Sequence, residues 1–280
     1  TPFTLGLAGY RLARRKDVPL IVSYHTPTSE YASYLAPNGF DGFVAGLSDR
    51  YERWFLERAD LVLAPSEVTT ETLRDRMHES TPVHCHPNGV DVRHFRPVDT
   101  TEFDRRYGIT RERPVIGYTG RHGFEKNLEA ILEAAAGLDV QVILGGDGPA
   151  RNHLEERATE LAVDATFLGF LDREELPAFY STLDVFAFPS PVETEGIVAE
   201  EANACGTPVV GVNRRALAET IHEDETGYHF EPGAIDEFRS AIERAISNVD
   251  RLSTACLERR DEISVDRALD RLEAVFDRVL

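Results

Sequence analysis

The chain has 280 residues, of which 42% are hydrophobic, and it carries a formal net charge of −19. A chain of this length can bury one large core or two modest ones, and we expect two domains. An acidic surface repels the phosphates of nucleic acids, which argues against a DNA- or RNA-binding function.

The basic residues and the cysteines indicate the compartment. Only Lys16 and Lys126 among the 30 basic residues are lysines. So acidic a chain indicates that the protein comes from the cytoplasm of a halophile, where salt screens the repulsion between its negative charges. Cys85, Cys205 and Cys256 are scattered, which fits a reducing compartment rather than a disulfide framework or a zinc site. The sequence contains no apolar run of the roughly 20 residues that span a membrane and no visible signal peptide, so we predict a cytoplasmic location.

The first third of the chain alternates helical patterns with short apolar runs. We predict strands over residues 19–24, 61–65 and 82–87, and helices over 44–59 and after Ser66 as a cap. His25 directly follows the first strand, at the end where open α/β sheets hold ligands. A lone histidine in such a place is more often structural than catalytic.

Two other groups in this part have both a functional and an ordinary interpretation. Tyr31, Tyr34 and Leu35 lie on a predicted helix, where they could face an acceptor or belong to the core. His84 and His86 form an H-x-H pair that could bind a metal. No third ligand is evident, so we predict no metal site.

A second alternation of strands and helices begins at residue 114. We predict strands over residues 115–120, 140–144, 166–171, 183–188 and 209–212, an edge strand over 227–230, and helices over 196–204, 214–221, 235–247 and 264–280. Arg121 and Lys126 flank a turn at a helix amino end, where two cations and the helix dipole can neutralise a diphosphate. Lys126 is the stronger candidate because lysine is so rare in this chain.

A glycine-rich turn follows the second of these strands. Gly146-Asp147-Gly148-Pro149 suggests a dinucleotide site, but Arg151 stands where the last glycine of the G-x-G-x-x-G spacing belongs. A dehydrogenase is therefore a weak candidate. Asp172 and Glu175 form a predicted capping box, which is a structural feature.

The residues from 189 to 211 are the most informative stretch. A proline-rich turn leads into a short helix whose backbone N–H groups at Gly196, Ile197 and Val198 form a positive pole suited to a phosphate. Glu193 precedes that pole, and Glu201 lies in the helix with its side chain directed back towards the amino end. Acidic residues near a helix start also occur for dipole reasons alone, so the two glutamates do not decide the question.

The spacing of these residues resembles a known family. Glu193, seven residues, Glu201 and then Cys205-Gly206-Thr207-Pro208-Val209-Val210 are similar to the signature of the retaining GT-B glycosyltransferases of family 4. The resemblance implies an α/β GT-B fold with two Rossmann-like, doubly wound domains. It also implies an incomplete acceptor-side domain at 1–98, because the family's first βαβ unit is not seen and about a quarter of the protein is missing. A nucleotide-sugar domain would follow at 99–263, and the helix at 264–280 would cross back to the first domain.

The resemblance also implies roles for the acidic residues and the helix start. In the family the first glutamate contacts the donor sugar and the second binds the ribose, which correspond here to Glu193 and Glu201. The backbone after the first glutamate, at Gly196, Ile197 and Val198, would hold the diphosphate. A histidine near the donor sugar corresponds to His25, so His25 and Glu193 are the predicted catalytic residues.

Further positions match the family's pattern. Arg121 and Lys126 resemble its G-R-x4-K pair, which grips the donor phosphates. Gly169 precedes backbone that reads the nucleotide base in the family, so Phe170 and Leu171 are predicted to line the base pocket. Glu195 stands where many members have an aromatic residue, and Thr194-Glu195-Gly196 is closer to lipid glycosyltransferases, as is the Tyr-His-Thr run at 24–26.

The predicted function is metal-independent transfer of a sugar from a nucleoside diphosphate sugar to a hydroxyl group with retained configuration. A UDP-sugar such as UDP-glucose is favoured, and GDP-mannose is the other candidate. No D-x-D occurs in the chain, so no metal or other cofactor is expected. The acceptor would be a membrane glycolipid precursor, which would place the enzyme at the inner face of the membrane.

Two competing functions stay open at this point. One is a nucleotide-sugar-binding remnant without transfer activity, because a missing segment would carry part of the acceptor site. The other is a different GT-B enzyme, such as an epimerase or a phosphorylase. The oligomeric state is not predicted.

Overall fold

The computed structural model describes residues 4–25, 41–78 and 80–279, and the chain divides into two compact units. One unit comprises Thr1–Asn88 and Ala268–Leu280, and the other comprises Gly89–Arg267. The strands of each unit form a separate parallel sheet. Both are therefore α/β units, in which helices connect the parallel strands.

The first unit contains a three-stranded sheet in the order β1-β2-β3. Its elements are α1 (Thr4–Lys16), β1 (Ile21–Ser23), α2 (Asp41–Leu56), β2 (Leu61–Ala64), α3 (Glu67–Arg76) and β3 (Val83–Cys85). The middle strand β2 is buried along its whole length, as its uninterrupted apolar sequence predicts. Ser66 caps α3 as predicted, since its Oγ accepts a hydrogen bond from the Thr69 N–H at 3.3 Å.

The second unit contains a six-stranded parallel sheet in the order β6-β5-β4-β7-β8-β9. Its strands are β4 (Val115–Thr119), β5 (Gln141–Gly145), β6 (Ala165–Gly169), β7 (Val185–Phe188), β8 (Val209–Val212) and β9 (Gly227–Phe230). The order reverses between β4 and β7. Ligands of open α/β sheets bind at such a switch point, beyond the carboxyl ends of the strands.

Helices connect these strands. They are α4 (Thr101–Tyr107), α5 (Glu129–Ala135), α6 (Arg151–Glu160), α7 (Leu176–Thr182), α8 (Ile197–Ala204), α9 (Leu217–Thr220), α10 (Ile235–Ser247) and α11 (Val249–Glu258). Short 3-10 turns occupy Phe124–Lys126 and Arg173–Glu175. The last helix, α12 (Val265–Val279), begins in the second unit and continues in the first.

The apolar strands of the second unit fold as predicted because both faces of the sheet are covered. Every residue of β4, β5, β7 and β8 is buried, which explains why these strands read as continuous apolar runs rather than alternating ones. The predicted edge strand is β9, at one end of the strand order. The capping box is also present, with the Asp172 N–H donating to Glu175 Oε2 at 3.2 Å.

Some predicted boundaries were wrong. Strand β6 ends at Gly169, not at 171, because Gly169 adopts a left-handed φ of 72° that no strand can continue. The helix predicted over 214–221 is limited to Leu217–Thr220. Helix α11 was not predicted, and it buries only Leu252 and Cys256, which is too narrow an apolar stripe to stand out in a sequence.

Candidate functional site

A cavity of about 640 Å³ lies in the second unit, beside the residues that follow the carboxyl ends of β4, β5 and β6. It is lined by Phe95, Thr119, Gly120, Arg121, Gly146, Asp147, Phe170, Leu171, Arg173, Leu176, Tyr180, Val198 and Glu201. The lining thus includes predicted site residues from three separate segments of sequence. Folding brings these segments together because parallel strands all end at the same edge of a sheet.

The amino end of α8 contributes Val198 to this cavity. Gly196 precedes the helix in a left-handed conformation, with φ 78° and ψ 32°, and as a glycine it supplies no side-chain cap. The first helical bond runs from the Ala199 N–H to the Gly196 carbonyl at 2.8 Å. The N–H groups of Ile197 and Val198 therefore lie at the positive pole of the helix, as the sequence predicts.

The glycine at position 196 is explained by its backbone conformation and its neighbours. In the structure, its positive φ and the side chain of Leu217, whose Cδ2 would lie 2.9 Å from an added Cβ, already require glycine. The neighbouring Glu195 carbonyl accepts a hydrogen bond from Thr220 Oγ1 at 2.9 Å, which ties the loop before α8 to α9.

Lys126 and Glu193 form an ion pair across the switch point. The Lys126 Nζ donates to Glu193 Oε1 at 2.7 Å, and the two side chains are only 15% and 17% exposed. Lys126 ends the 3-10 turn after β4, and Glu193 lies in the loop after β7. The bond therefore joins the two loops on either side of the point where the strand order reverses, and each charge neutralises the other.

Arg121 forms a second ion pair, with Glu125, within the same turn. An added Cβ at Gly123 would collide with the Glu125 carboxylate, so glycine lets that carboxylate fold back under the turn. Sequence reasoning missed Glu125. Its position four residues after Arg121 was the available signal, although such pairs are common on any helix surface.

A buried tyrosine hydroxyl lies beneath this turn. The Tyr118 hydroxyl would be 2.6 Å from a Cβ added at Gly120. Burial, followed by the negative charges of Glu193 and Glu125, raises the pKa of Tyr118, so the phenol remains a proton donor. Sequence reasoning also missed this residue, because it sits within an apolar strand.

Glu201 lies on α8 at the edge of the cavity. The Tyr180 hydroxyl donates to Glu201 Oε2 at 2.7 Å. Burial raises the pKa of the Glu201 carboxyl, while the Tyr180 bond and the positive charge of Arg173 oppose that rise. One oxygen of the Glu201 carboxylate is therefore bonded to Tyr180, and the residue faces the cavity.

The residues predicted to line the base pocket differ in how exposed their side chains are. Gly169 has a φ of 72° and its carbonyl accepts from the Gly146 N–H at 2.6 Å. The next side chain, Phe170, is 82% exposed, whereas Leu171 is buried. Both line the cavity.

Close backbone contacts explain the glycines of the loop after β5. A Cβ at Gly146 would collide with the Gly120 carbonyl, and one at Gly148 with the His122 carbonyl. The buried His122 joins the same loops, since its N–H donates to the Asp147 carbonyl at 2.8 Å. These glycines therefore serve loop packing at the cavity edge.

His25 belongs to the first unit and follows β1, where it is exposed. Its Nδ1 lies 3.4 Å from Asn88 Nδ2. The acceptor candidates Tyr31, Tyr34 and Leu35 lie outside the described residues. The roles assigned to His25 and to the residues of the second unit stay predictions.

Among the residues that the structure describes, no three or more histidine, cysteine, aspartate or glutamate side chains cluster in a way that could hold a metal ion. Over the same ranges, each helix is too short or too polar to pass through a lipid bilayer.

The amino end of α8 and the 3-10 turn that contains Lys126 lie in the part of the chain that matches a known family, as do most residues of the cavity. Residues 99–260 match the family described as glycosyl transferases group 1, and residues 1–94 match glycosyltransferase family 4. The chain belongs to the group 1, family 4 glycosyltransferases. This confirms the family identified from the two glutamates and the residues after them.

Curated relatives share about three residues in ten with this chain. The alpha-monoglucosyldiacylglycerol synthase of Streptococcus pneumoniae is 29% identical over 99% of the chain and 64% of its own length. A GDP-mannose-dependent alpha-mannosyltransferase of Corynebacterium glutamicum is 30% identical over 81% of the chain and 53% of its own length. The 2-deoxystreptamine glucosyltransferase of Streptomyces kanamyceticus is 30% identical over 98% and 74%. The chain thus spans less than two thirds of the length of the first two.

Solved structures show the same fold. The sucrose-phosphate synthase of Thermosynechococcus elongatus superposes with a TM-score of 0.85 at 24% identity, covering 98% of this chain and 71% of that one. The Anabaena protein HepE, solved with UDP-glucose, gives a TM-score of 0.79 at 20% identity over 97% and 76%. The predicted GT-B fold with Rossmann-like parallel sheets is confirmed.

Proposed function

We propose that the protein is a retaining, metal-independent glycosyltransferase that moves a sugar from a nucleoside diphosphate sugar to a hydroxyl group. The donor that we favour is a UDP-sugar, and GDP-mannose is the other candidate. The observation that carries the proposal is the arrangement of the second unit's switch point. There the amino end of α8, a lysine with a side chain only 15% exposed and a cavity-facing glutamate lie at one edge of the sheet.

The diphosphate would bind at the start of α8. Its oxygens would accept from the N–H groups of Ile197 and Val198, where the helix dipole favours negative charge. Lys126 would exchange its bond to Glu193 for one to a phosphate oxygen. Glu193 would then be released to accept hydrogen bonds from hydroxyls of the donor sugar.

The nucleoside would occupy the cavity. Glu201 would accept from the ribose hydroxyls, since its carboxylate faces the cavity and one oxygen is already fixed by Tyr180. The base would lie beside Phe170 and Leu171, where backbone N–H and C=O groups could hydrogen-bond its edge. A volume of about 640 Å³ falls within the range of small-molecule sites.

In the reaction the bond from the anomeric carbon to the diphosphate oxygen breaks, and a bond from that carbon to the acceptor oxygen forms. The proton of the acceptor hydroxyl passes to the leaving diphosphate, so that atoms and charge balance. Negative charge grows on the leaving diphosphate, and the α8 pole, Lys126 and Arg121 would stabilise it. His25 would help to orient the sugar, a role that rests on the family resemblance.

The acceptor that we favour is a membrane glycolipid precursor, with the enzyme peripheral at the inner face of the membrane. Support comes from Thr194-Glu195-Gly196, which resembles lipid glycosyltransferases, and from a relative that is named as a monoglucosyldiacylglycerol synthase. The test is transfer of labelled sugar onto membrane extract. Label that appears only in soluble products would contradict a lipid acceptor.

The donor is tested by thermal shift in molar salt with UDP, UDP-glucose, GDP and GDP-mannose, with and without EDTA. A bound nucleotide raises Tm by mass action. We expect a shift with one base only, unchanged by EDTA. No shift with any nucleotide would contradict the proposal, and a shift that EDTA removes would contradict metal independence.

The chemistry is tested by NMR of the product formed from a labelled donor. Transfer with the anomeric configuration of the donor supports the retaining assignment. Sugar phosphate formed when inorganic phosphate is added would indicate a phosphorylase, and an isomeric sugar would indicate an epimerase. Binding without any product would indicate a remnant that only holds nucleotide sugars.

A further inference from the structure

Tyr180 is a buried residue of α7. Its hydroxyl group bonds to Glu201, a residue predicted to bind the ligand. The residue is fully buried, and its ring lies 6.0 Å from that of Phe95 and 5.7 Å from that of Phe186. Its carbonyl accepts from Thr207 Oγ1 at 2.7 Å. The aromatic contacts and this backbone bond hold the phenol in one position.

The phenol is aimed at Glu201. Its hydroxyl donates to Glu201 Oε2 at 2.7 Å, a length typical of a strong bond to a carboxylate. The two side chains both line the switch-point cavity. Because a glutamate has three rotatable bonds, a fixed donor at one oxygen restricts the orientation of the whole carboxylate.

The other charged or titratable groups that face Glu201 are few among the described residues. Arg173 and His94 act on it electrostatically, and its own charge acts on Cys205. Burial is the largest influence and raises the pKa of Glu201, whereas donation from Tyr180 lowers it. The tyrosine therefore works against the main force that would protonate this carboxyl.

We propose that Tyr180 is a positioning residue that acts through Glu201 and sets how strongly the site discriminates ribose hydroxyls. It fixes one carboxylate oxygen, so that the other is directed to the hydroxyls of the nucleoside. It also keeps the carboxylate ionised, which is the form that accepts two hydrogen bonds. This inference rests on the proposed binding of a nucleoside diphosphate in the cavity.

The test is a double-mutant cycle in the full chain with Y180F, E201Q and the double variant. Affinities for UDP, GDP and the 2′,3′-dideoxy form of whichever binds are measured by calorimetry. We expect Y180F to weaken binding of the ribonucleotide about ten-fold, the usual effect of losing a hydrogen bond to a charged group. The double variant should be no weaker than E201Q, and the dideoxynucleotide should bind wild type and Y180F equally.

Tyr228 provides a matched control. It is a buried tyrosine of the same unit whose hydroxyl donates to the carboxylate of Asp224 at 3.0 Å, and neither residue lines the cavity. Y228F removes the same chemical group, so it should leave all nucleotide affinities unchanged. A loss in Y228F equal to that in Y180F would mean that both act only through stability.

The pH dependence supplies a readout that a structural role would not change. Ribonucleotide affinity should fall as the pH drops through the pKa of Glu201. In Y180F that pKa rises further, so the loss should begin at a higher pH than in wild type. E201D, which leaves Tyr180 intact but withdraws the carboxylate from it, should lose ribose discrimination too, and it serves as the second arm if Y180F does not fold.

The outcomes separate the two claims. If the wild type binds UDP or GDP and Y180F matches it in affinity, in ribose discrimination and in pH profile, the inference is overturned while the proposed function stands. Additive losses in the double variant also overturn it. If the wild type binds neither nucleotide, the proposed function and this inference fail together.

Discussion

Two groups of polar side chains, one at each edge of the six-stranded sheet, have different kinds of partner. At the amino edge Asp184 and Gln141 bond to the backbone: Asp184 Oδ2 accepts from the Val115 N–H at 2.7 Å, and Gln141 Nε2 donates to the Thr110 carbonyl at 2.7 Å. At the carboxyl edge Lys126 and Glu193 bond to each other.

The difference distinguishes polar side chains that support the fold from polar side chains that are available to a ligand. A side chain that satisfies buried backbone has one partner for the lifetime of the fold. An ion pair between two side chains can be exchanged for bonds to a ligand at little cost, because both groups find new partners. The Lys126–Glu193 pair can therefore be exchanged for bonds to a ligand, whereas the Asp184 and Gln141 bonds to the backbone are fixed.

The largest expected effect is on Lys126. K126A should lower kcat/KM by about 10²- to 10³-fold, because it removes a cation that would stabilise the leaving diphosphate. K16A removes the only other lysine, which is exposed on α1 in the first unit, and should have no effect. Steady-state transfer rates of the two variants check this, and equal rates would remove the functional distinction between the edges.

G196A should weaken nucleotide binding and stability together. A side chain at a φ of 78° costs about 1 kcal/mol or more, and it would also press on Leu217 beside the α8 pole. Gly108 is the control, since it has a φ of 69° but nothing within 4 Å of an added Cβ. Denaturant unfolding should show a loss in both variants, and only G196A should lose nucleotide affinity in calorimetry.

D184A tests the amino edge, where we expect a loss of stability without a loss of nucleotide affinity. Removing the acceptor of the Val115 N–H should cost about 1–3 kcal/mol of unfolding free energy, since a buried donor loses its partner. Nucleotide affinity measured on the folded variant should equal that of wild type. A large loss of affinity at unchanged stability would show that the amino edge also serves the ligand.

E201Q should give the smallest effect on stability, with a sign opposite to that of D184A. Burial raises the folded-state pKa of Glu201 above its unfolded value, so the free energy of unfolding falls as pH rises through that window. At neutral pH the neutral glutamine should therefore raise Tm, by less than the roughly 4 °C that 1 kcal/mol gives. Calorimetric scans at acidic and neutral pH check this, and a lower Tm for E201Q at neutral pH would contradict it.

The outline of the second unit was predictable because its signals are local. Continuous apolar runs such as Val209–Val212 mark buried strands wherever they occur, and glycine and proline mark their ends. Helix α8 and the turn between Arg121 and Lys126 were predicted from local signals of the same kind. Helix α11 was missed, since only Leu252 and Cys256 face the core.

The sequence by itself determined the strands, the helix pole and the residue types that surround it, because these depend on neighbours within a few positions. Only the tertiary structure decided which charges meet. Lys126 and Glu193 are 67 positions apart, and Tyr180 and Glu201 are 21 apart. The first contact depends on the strand order that places β4 beside β7, and the second on the packing of α7 against α8. No periodicity in the chain encodes either arrangement.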